Sequence, residues 1–148
     1  MHMFNRKKSA EFELPPTQEK FDTLIGATTV IYGRLELSDS IRIDGKVVGN
    51  IETVKGKLVS VAIGRTGEVF GDITAHRVMV SGKVEGNINA AERAEFHKDS
   101  EVRGDVTYGI IGVEHGAKLL GLVIQNQVNT STPQVPSAQA VIKVAQEK

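Results

Sequence analysis

Few side chains in this 148-residue chain could do acid–base or metal chemistry. His76, His97 and His115 are the only imidazoles in its body, and they fall at +5, −7 and −6 from the nearest recurring glycine. That spacing forms no clear column, whereas a metal needs three or four convergent ligands. A second group is regular. Asn50, Asp72, Asn87 and Asp105 each follow a glycine, and stacked repeats would align them in a column. Such a column could be a calcium or carbohydrate ladder, but Asn and Asp after glycine more simply steady turns through local side-chain-to-backbone bonds. No segment pairs a glycine-rich loop with Lys-Ser/Thr, and no Ser/His/Asp motif stands out. No catalytic, cofactor-binding or metal-ligating residue is therefore named.

What positions the Asx residues is a repeat. Gly45-Lys-Val-Val-Gly-Asn-Ile51, Gly67-Glu-Val-Phe-Gly-Asp-Ile73 and Gly82-Lys-Val-Glu-Gly-Asn-Ile88 are copies of one heptad. Weaker copies run Ser100 to Val106 and Ala117 to Val123, and an opening copy runs Thr29 to Leu35. Their second glycines are Gly33, Gly49, Gly71, Gly86, Gly104 and Gly121, with steps of 16, 22, 15, 18 and 17 residues. The long step suits a loop insertion around Thr53 to Lys57. Within a copy the period is two, so Val47, Gly49 and Ile51 share one face and Val48 and Asn50 the other. A second apolar cluster lies between most copies, such as Ile41/Ile43 and Val78/Val80. Short strands turning every five or six residues wind into a coil of about 17 residues, and stacked coils make one continuous core. Glycine at the inward position is expected to relieve crowding where the chain bends around the interior. The fold class is all-β: a single solenoid domain of about six coils over residues 22–127, with disordered tails at 1–21 and 128–148. Spacing alone leaves its hand open. Ile25, Ile31, Leu37 and Ile43 show the six-residue period of left-handed hexapeptide helices.

Composition narrows the function. Eighteen Lys+Arg balance eighteen Asp+Glu, so there is no general basic footprint for nucleic acid. The chain has no cysteine, which removes disulfides and thiolate zinc sites. No apolar run approaches the ~18 residues of a membrane span, and no secretory signal is recognisable, so the cytoplasm is the expected location.

The stretch from Thr23 to Leu35, followed by Ile41 to Ile51 and the later copies, strongly resembles the bactofilins, bacterial polymer-forming cytoskeletal proteins. The likeness covers about Thr23 to Gln127. It implies a right-handed triangular β-helix and nucleotide-independent, end-to-end polymerisation into non-polar filaments. It also implies a membrane-associated scaffold that positions cell-wall machinery, such as peptidoglycan synthases or zinc endopeptidases, and influences cell shape. Departures are Ser100 for the first glycine and Leu122 where other copies carry Asn or Asp.

Neither flank reads as a cap over the open ends of the solenoid, which suits docking of further copies. Leu24 and Ile25 at one end, and Leu119, Leu122 and Ile124 at the other, are the candidate polymerisation residues. Met3, Phe4, Arg6, Lys7 and Lys8 place an apolar tip beside three basic groups, the pattern of a weak anionic-membrane anchor that a filament would multiply by avidity. Outward residues Tyr32, Val48 and Phe70 form an apolar strip suited to a lateral contact or to a resting tail. Glu85 and Arg103 are expected to be neighbours on adjacent coils. Two enzyme alternatives remain. One is a left-handed hexapeptide-repeat acyltransferase using a histidine base, and the other a polysaccharide-active β-helix, which would want clustered acids along one face.

Overall fold

The computed structural model describes residues 13–14 and 20–126. The two sequence-defined tails, and the membrane-targeting candidates Met3 to Lys8 with them, lie largely or wholly outside the described residues.

Fifteen short strands make six coils among the described residues. The first coil holds β1 (Thr23–Ile25), β2 (Val30–Tyr32) and β3 (Leu35–Leu37), and the second β4 (Ile41–Ile43), β5 (Lys46–Val48) and β6 (Ile51–Thr53). The third holds β7 (Ser60–Ile63), β8 (Glu68–Phe70) and the start of β9 (Ile73–Val80). From there β9, β11 (Ile88–Phe96) and β13 (Val106–Val113) each bend around an edge of the solenoid into the next coil. They alternate with β10 (Lys83–Glu85), β12 (Glu101–Arg103) and β14 (Lys118–Leu120), and β15 (Val123–Gln125) closes the sixth coil.

All pairing is parallel and joins each coil to the next. Three walls result. The first stacks β2, β5, β8, β10, β12 and β14. The second stacks β3, β6, the first halves of β9, β11 and β13, and β15. The third stacks β1, β4, β7 and the second halves of β9, β11 and β13. The cross-section is therefore triangular. Alternation sends Val47, Val69, Val84 and Val102 inward from the first wall, where each is fully buried. Ile51, Ile73, Ile88 and Val106 do the same from the second wall, and Ile43, Ile63, Val80 and Phe96 from the third. Column upon column of aliphatics is the core, and each fully buried one contributes roughly 1.5–3 kcal/mol.

The corner between the first and second walls holds two residues in every coil, a glycine and then the Asx-type position. Gly49, Gly71, Gly86 and Gly104 have φ of +149°, +155°, +150° and +151°. The crowding there is not in the interior, as the sequence suggested. A Cβ at Gly71 would collide with the carbonyl oxygen of Gly49, one coil earlier, and the same holds along the column. The glycines thus let one backbone corner rest directly on another.

The other corners absorb changes of length. The 22-residue step comes from two of them. One is the segment Val54–Val59 between β6 and β7, close to the expected loop, where Lys57 N–H bonds the Val54 carbonyl at 3.1 Å. The other is Gly64–Gly67, four residues where the previous coil uses only Asp44 and Gly45.

Candidate functional site

The Asx residues are tied together, though not by the local turns expected of them. Asp72 N–H donates to Asn50 Oδ1 at 2.9 Å, and Asn87 N–H to Asp72 Oδ1 at 2.9 Å. Asp105 N–H donates to Asn87 Oδ1 at 2.9 Å and Leu122 N–H to Asp105 Oδ1 at 3.0 Å. Every bond crosses from one coil to the next. The column is a clamp on coil spacing, with one side-chain oxygen of each of its four members accepting a backbone N–H. It begins with Arg34 at the equivalent place in the first coil and ends with Leu122 in the sixth. Neither residue can extend it by accepting a further backbone N–H.

The histidines stay apart. His76 Nε2 lies 2.9 Å from Glu92 Oε1, which also accepts from Arg77 Nε at 2.7 Å. The Arg77 hydrogen bond holds the Glu92 carboxyl below its ordinary range, aided by the charges of Arg77, His76 and Arg93 against a desolvation penalty. His97 lies at a different corner, between the third and first walls, 3.4 Å from Glu95 and 3.6 Å from Glu114. Among the described residues no three His, Asp or Glu converge as metal ligands would. Glu85 and Arg103 are paired in register, but Arg103 Nε bonds Glu101 instead, at 2.8 Å. A groove of ≈ 530 Å³ runs along the corner between the third and first walls, past Asp44, Arg65, Thr66, Ser81 and His97.

The terminal coils differ from the rest. β1, β2 and β3 each pair on one side only among the described residues, as do β14 and β15 at the far end. Val123 continues the column of Ile88 and Val106 yet is 43% exposed against 1% and 0%. Val113 continues the column of Phe96 and is 40% exposed. At the other end Ile31, Leu35 and Leu37 are only partly buried against the core. The open surfaces are thus cut ends of the core.

The candidate interface residues divide across this geometry. Ile25 and Leu119 lie on inward columns, Ile25 buried and Leu119 partly so. Leu24 is in register with Arg42 and points off the third wall. Leu122 occupies the outward corner place, and Ile124, in register with Thr107, points off the second wall. Leu24, Leu122 and Ile124 are all exposed. Ile31, Leu35, Leu37, Ile111, Val113 and Val123 complete the two cut ends. The heptad alignment had placed several of them, but only the count of neighbouring coils shows that no further coil covers them among the described residues. On the first wall, Val48 and Phe70 are in register, Tyr32 continues the strip, and Lys46 Nζ sits 5.0 Å from the Phe70 ring centre.

Comparison with known proteins agrees with this geometry. Residues 23–123 match the family model described as "Bactofilin: Polymer-forming cytoskeletal". Bactofilin BacO of Myxococcus xanthus is 32% identical over 102 residues, covering 69% of this chain and 78% of the relative. Bactofilin BacP of the same organism is 28% identical over 116 residues, covering 78% of this chain but 47%, about half, of the relative. The fold is also that of a Thermus thermophilus bactofilin solved by cryo-EM as double helical filaments. The TM-score is 0.62 at 24% identity, over 70% of this chain and 99% of the other. Six coils matched almost end to end by a family model leave one assignment: the chain belongs to the bactofilins, a family of polymer-forming cytoskeletal proteins.

Proposed function

We propose that this chain polymerises end to end by stacking its terminal coils, without nucleotide, and that it acts as a scaffold rather than an enzyme. The observation that carries the proposal is the pair of cut ends, where core columns stop with half-exposed side chains such as Val123 and Val113. Covering each half-exposed aliphatic contributes roughly 1 kcal/mol, and the unpaired strand edges gain hydrogen bonds at the same time. The Thermus relative, solved as filaments, lends the same reading support. The Asx clamp stops short at both ends, since neither Arg34 nor Leu122 offers a side-chain acceptor to a further coil. Like-with-like junctions give the non-polar filament that the sequence resemblance implies.

The interface comprises Ile25, Leu119 and the inward columns beside them, with Leu24, Leu122 and Ile124 at the rims. The Leu119→Arg protein is expected to keep its β circular dichroism spectrum and lose filaments. Sedimentation of that variant as polymer would exclude stacking through the sixth coil.

The filament lies on the inner face of the cytoplasmic membrane, held by Met3, Phe4, Arg6, Lys7 and Lys8, and positions peptidoglycan synthases or endopeptidases. This part rests on sequence pattern and family resemblance. Co-sedimentation with anionic liposomes, with and without residues 1–8, tests it: binding should drop severalfold on deletion, and equal binding would remove the membrane role.

A further inference from the structure

The outward column of the third wall runs without a break from end to end: Leu24, Arg42, Ala62, Met79, Glu95 and Gly112 are in register through successive coils. Its middle is unusual for a solenoid exterior. Ala62 and Met79 point away from the core, because Val61, Ile63, Val78 and Val80 on either side point into it. Yet they are only 8% and 7% exposed. At its far end the column meets a residue from the other extreme of the chain. Leu14 lies over Gly112, so close that a Cβ built there would come within 2.8 Å of Leu14 Cδ2. The Leu14 backbone N–H donates to Glu114 Oε2 at 2.7 Å, a bond between residues 100 positions apart.

Glu114 is held for this task. Its other oxygen, Oε1, accepts the Lys98 N–H at 2.7 Å, and His97 Nδ1 lies 3.6 Å from Oε2. Burial alone would raise its pKa. The Leu14 and Lys98 N–H groups and the nearby His97 outweigh that, so the carboxyl titrates below its ordinary value.

Connectivity fixes the direction of the segment. The chain joins the solenoid at the opposite end, where the Asp22 and Thr23 N–H groups bond the Ser40 carbonyl at 3.0 and 3.2 Å. Five coil spacings separate that point from Gly112, about 24 Å at ~4.8 Å each. The eight residues from Leu14 to Asp22 reach at most ~26–29 Å. The site at Gly112 is therefore within reach of the chain's own N-terminal segment, with little slack.

We infer that the third wall is a binding site for an extended leucine-bearing peptide, and that its occupant is this chain's own Glu13–Leu14 segment. Gly112 supplies the floor under the leucine and Glu114 captures the backbone N–H. The Glu13–Leu14 pair then sits beside the sixth coil, at the far end from Asp22 and Thr23, where the chain joins the solenoid.

The absence of cysteine makes the test direct. A chain carrying Leu14→Cys and Gly112→Cys is treated with a short bis-maleimide. The same is done with Leu14→Cys and Glu36→Cys, the latter on the second wall. An intramolecular link is expected in the first pair in at least tenfold excess over the second. Equal yields in both pairs, no link at all, or a link mainly between two molecules would each overturn the assignment. Glu114→Ala in the first pair should lower the yield severalfold while the β-sheet spectrum is kept. An unchanged yield would overturn the role given to its carboxylate.

Discussion

Coils two to five and coils one and six are made of the same residue types in the same register, yet they live under different constraints. Ile88 and Val123 occupy equivalent places, and among the described residues only the first has a strand partner on both sides. The interior coils are fixed twice over, by buried aliphatics below and by the glycine corner and Asx clamp at the edge. The terminal coils have half of each. The pattern that stabilises the middle of a solenoid is thus incomplete at its ends by construction, and the end-to-end polymerisation proposed above would continue the same packing between molecules.

The sharpest way to separate the two regions is at the glycine corner. Gly86→Ala forces a Cβ into the Gly71 carbonyl at a φ of +150° and is expected to cost about 3–5 kcal/mol, from backbone strain and overpacking together. Gly33→Ala, at +136° but with nothing within 4 Å, should cost only the strain, about 1–3 kcal/mol. Urea denaturation of both, in a Leu119→Arg background to suppress filaments, measures the difference. Equal losses would mean that stacking contact plays no part.

A smaller effect is expected in the clamp. Asn87→Ala deprives the Asp105 N–H of its acceptor and should cost about 0.5–1.5 kcal/mol. Leu122→Asn, which adds an acceptor with nothing above it, should leave the monomer's stability unchanged. Ser100 tests the opposite sign. It stands where other coils have glycine, fully buried, with an Oγ that finds no hydrogen-bond partner among the described residues. Ser100→Ala should stabilise by up to about 1 kcal/mol, read as a higher denaturation midpoint.

The smallest expected effect is in pH. Glu114 in the last coil has its pKa depressed on folding, so what its charge contributes is complete above the ordinary carboxylate range. It is lost as pH falls through the lowered value. The groups that face it are His97 and, beyond His97, Glu95, itself bonded to Arg93 at 3.2 Å. Hydrogen-exchange protection of the Leu14 amide, corrected for intrinsic rates, should persist in mild acid and vanish below that range. Glu114→Gln should weaken the protection already at neutral pH.

Much of this was legible in the chain. The heptad marks the first wall, the glycine corner and the start of the second wall, because alternation and glycine both report on the backbone locally. The Asx column was found from spacing, but its bonding was misplaced, since the acceptor that each N–H uses belongs to the previous coil. The inward residues of the last coil could be aligned, yet their exposure depends on how many coils stack against them, which local alternation does not report. Leu14 was out of reach altogether. It lies in a stretch read as tail, and Gly112 gives no local reason for being glycine.

The long corner at Val54–Val59 has a practical meaning. Gly56, at φ +85°, turns it clear of its neighbours, with nothing within 4 Å of a Cβ placed there, and Leu58 beside it is 75% exposed. A chain that already tolerates extra residues at one edge, while every glycine corner keeps its two, offers a port for cargo. A fluorescent or affinity module grafted after Lys55 would hang outside the shaft at regular intervals, a label for the filament that leaves both of its cut ends bare.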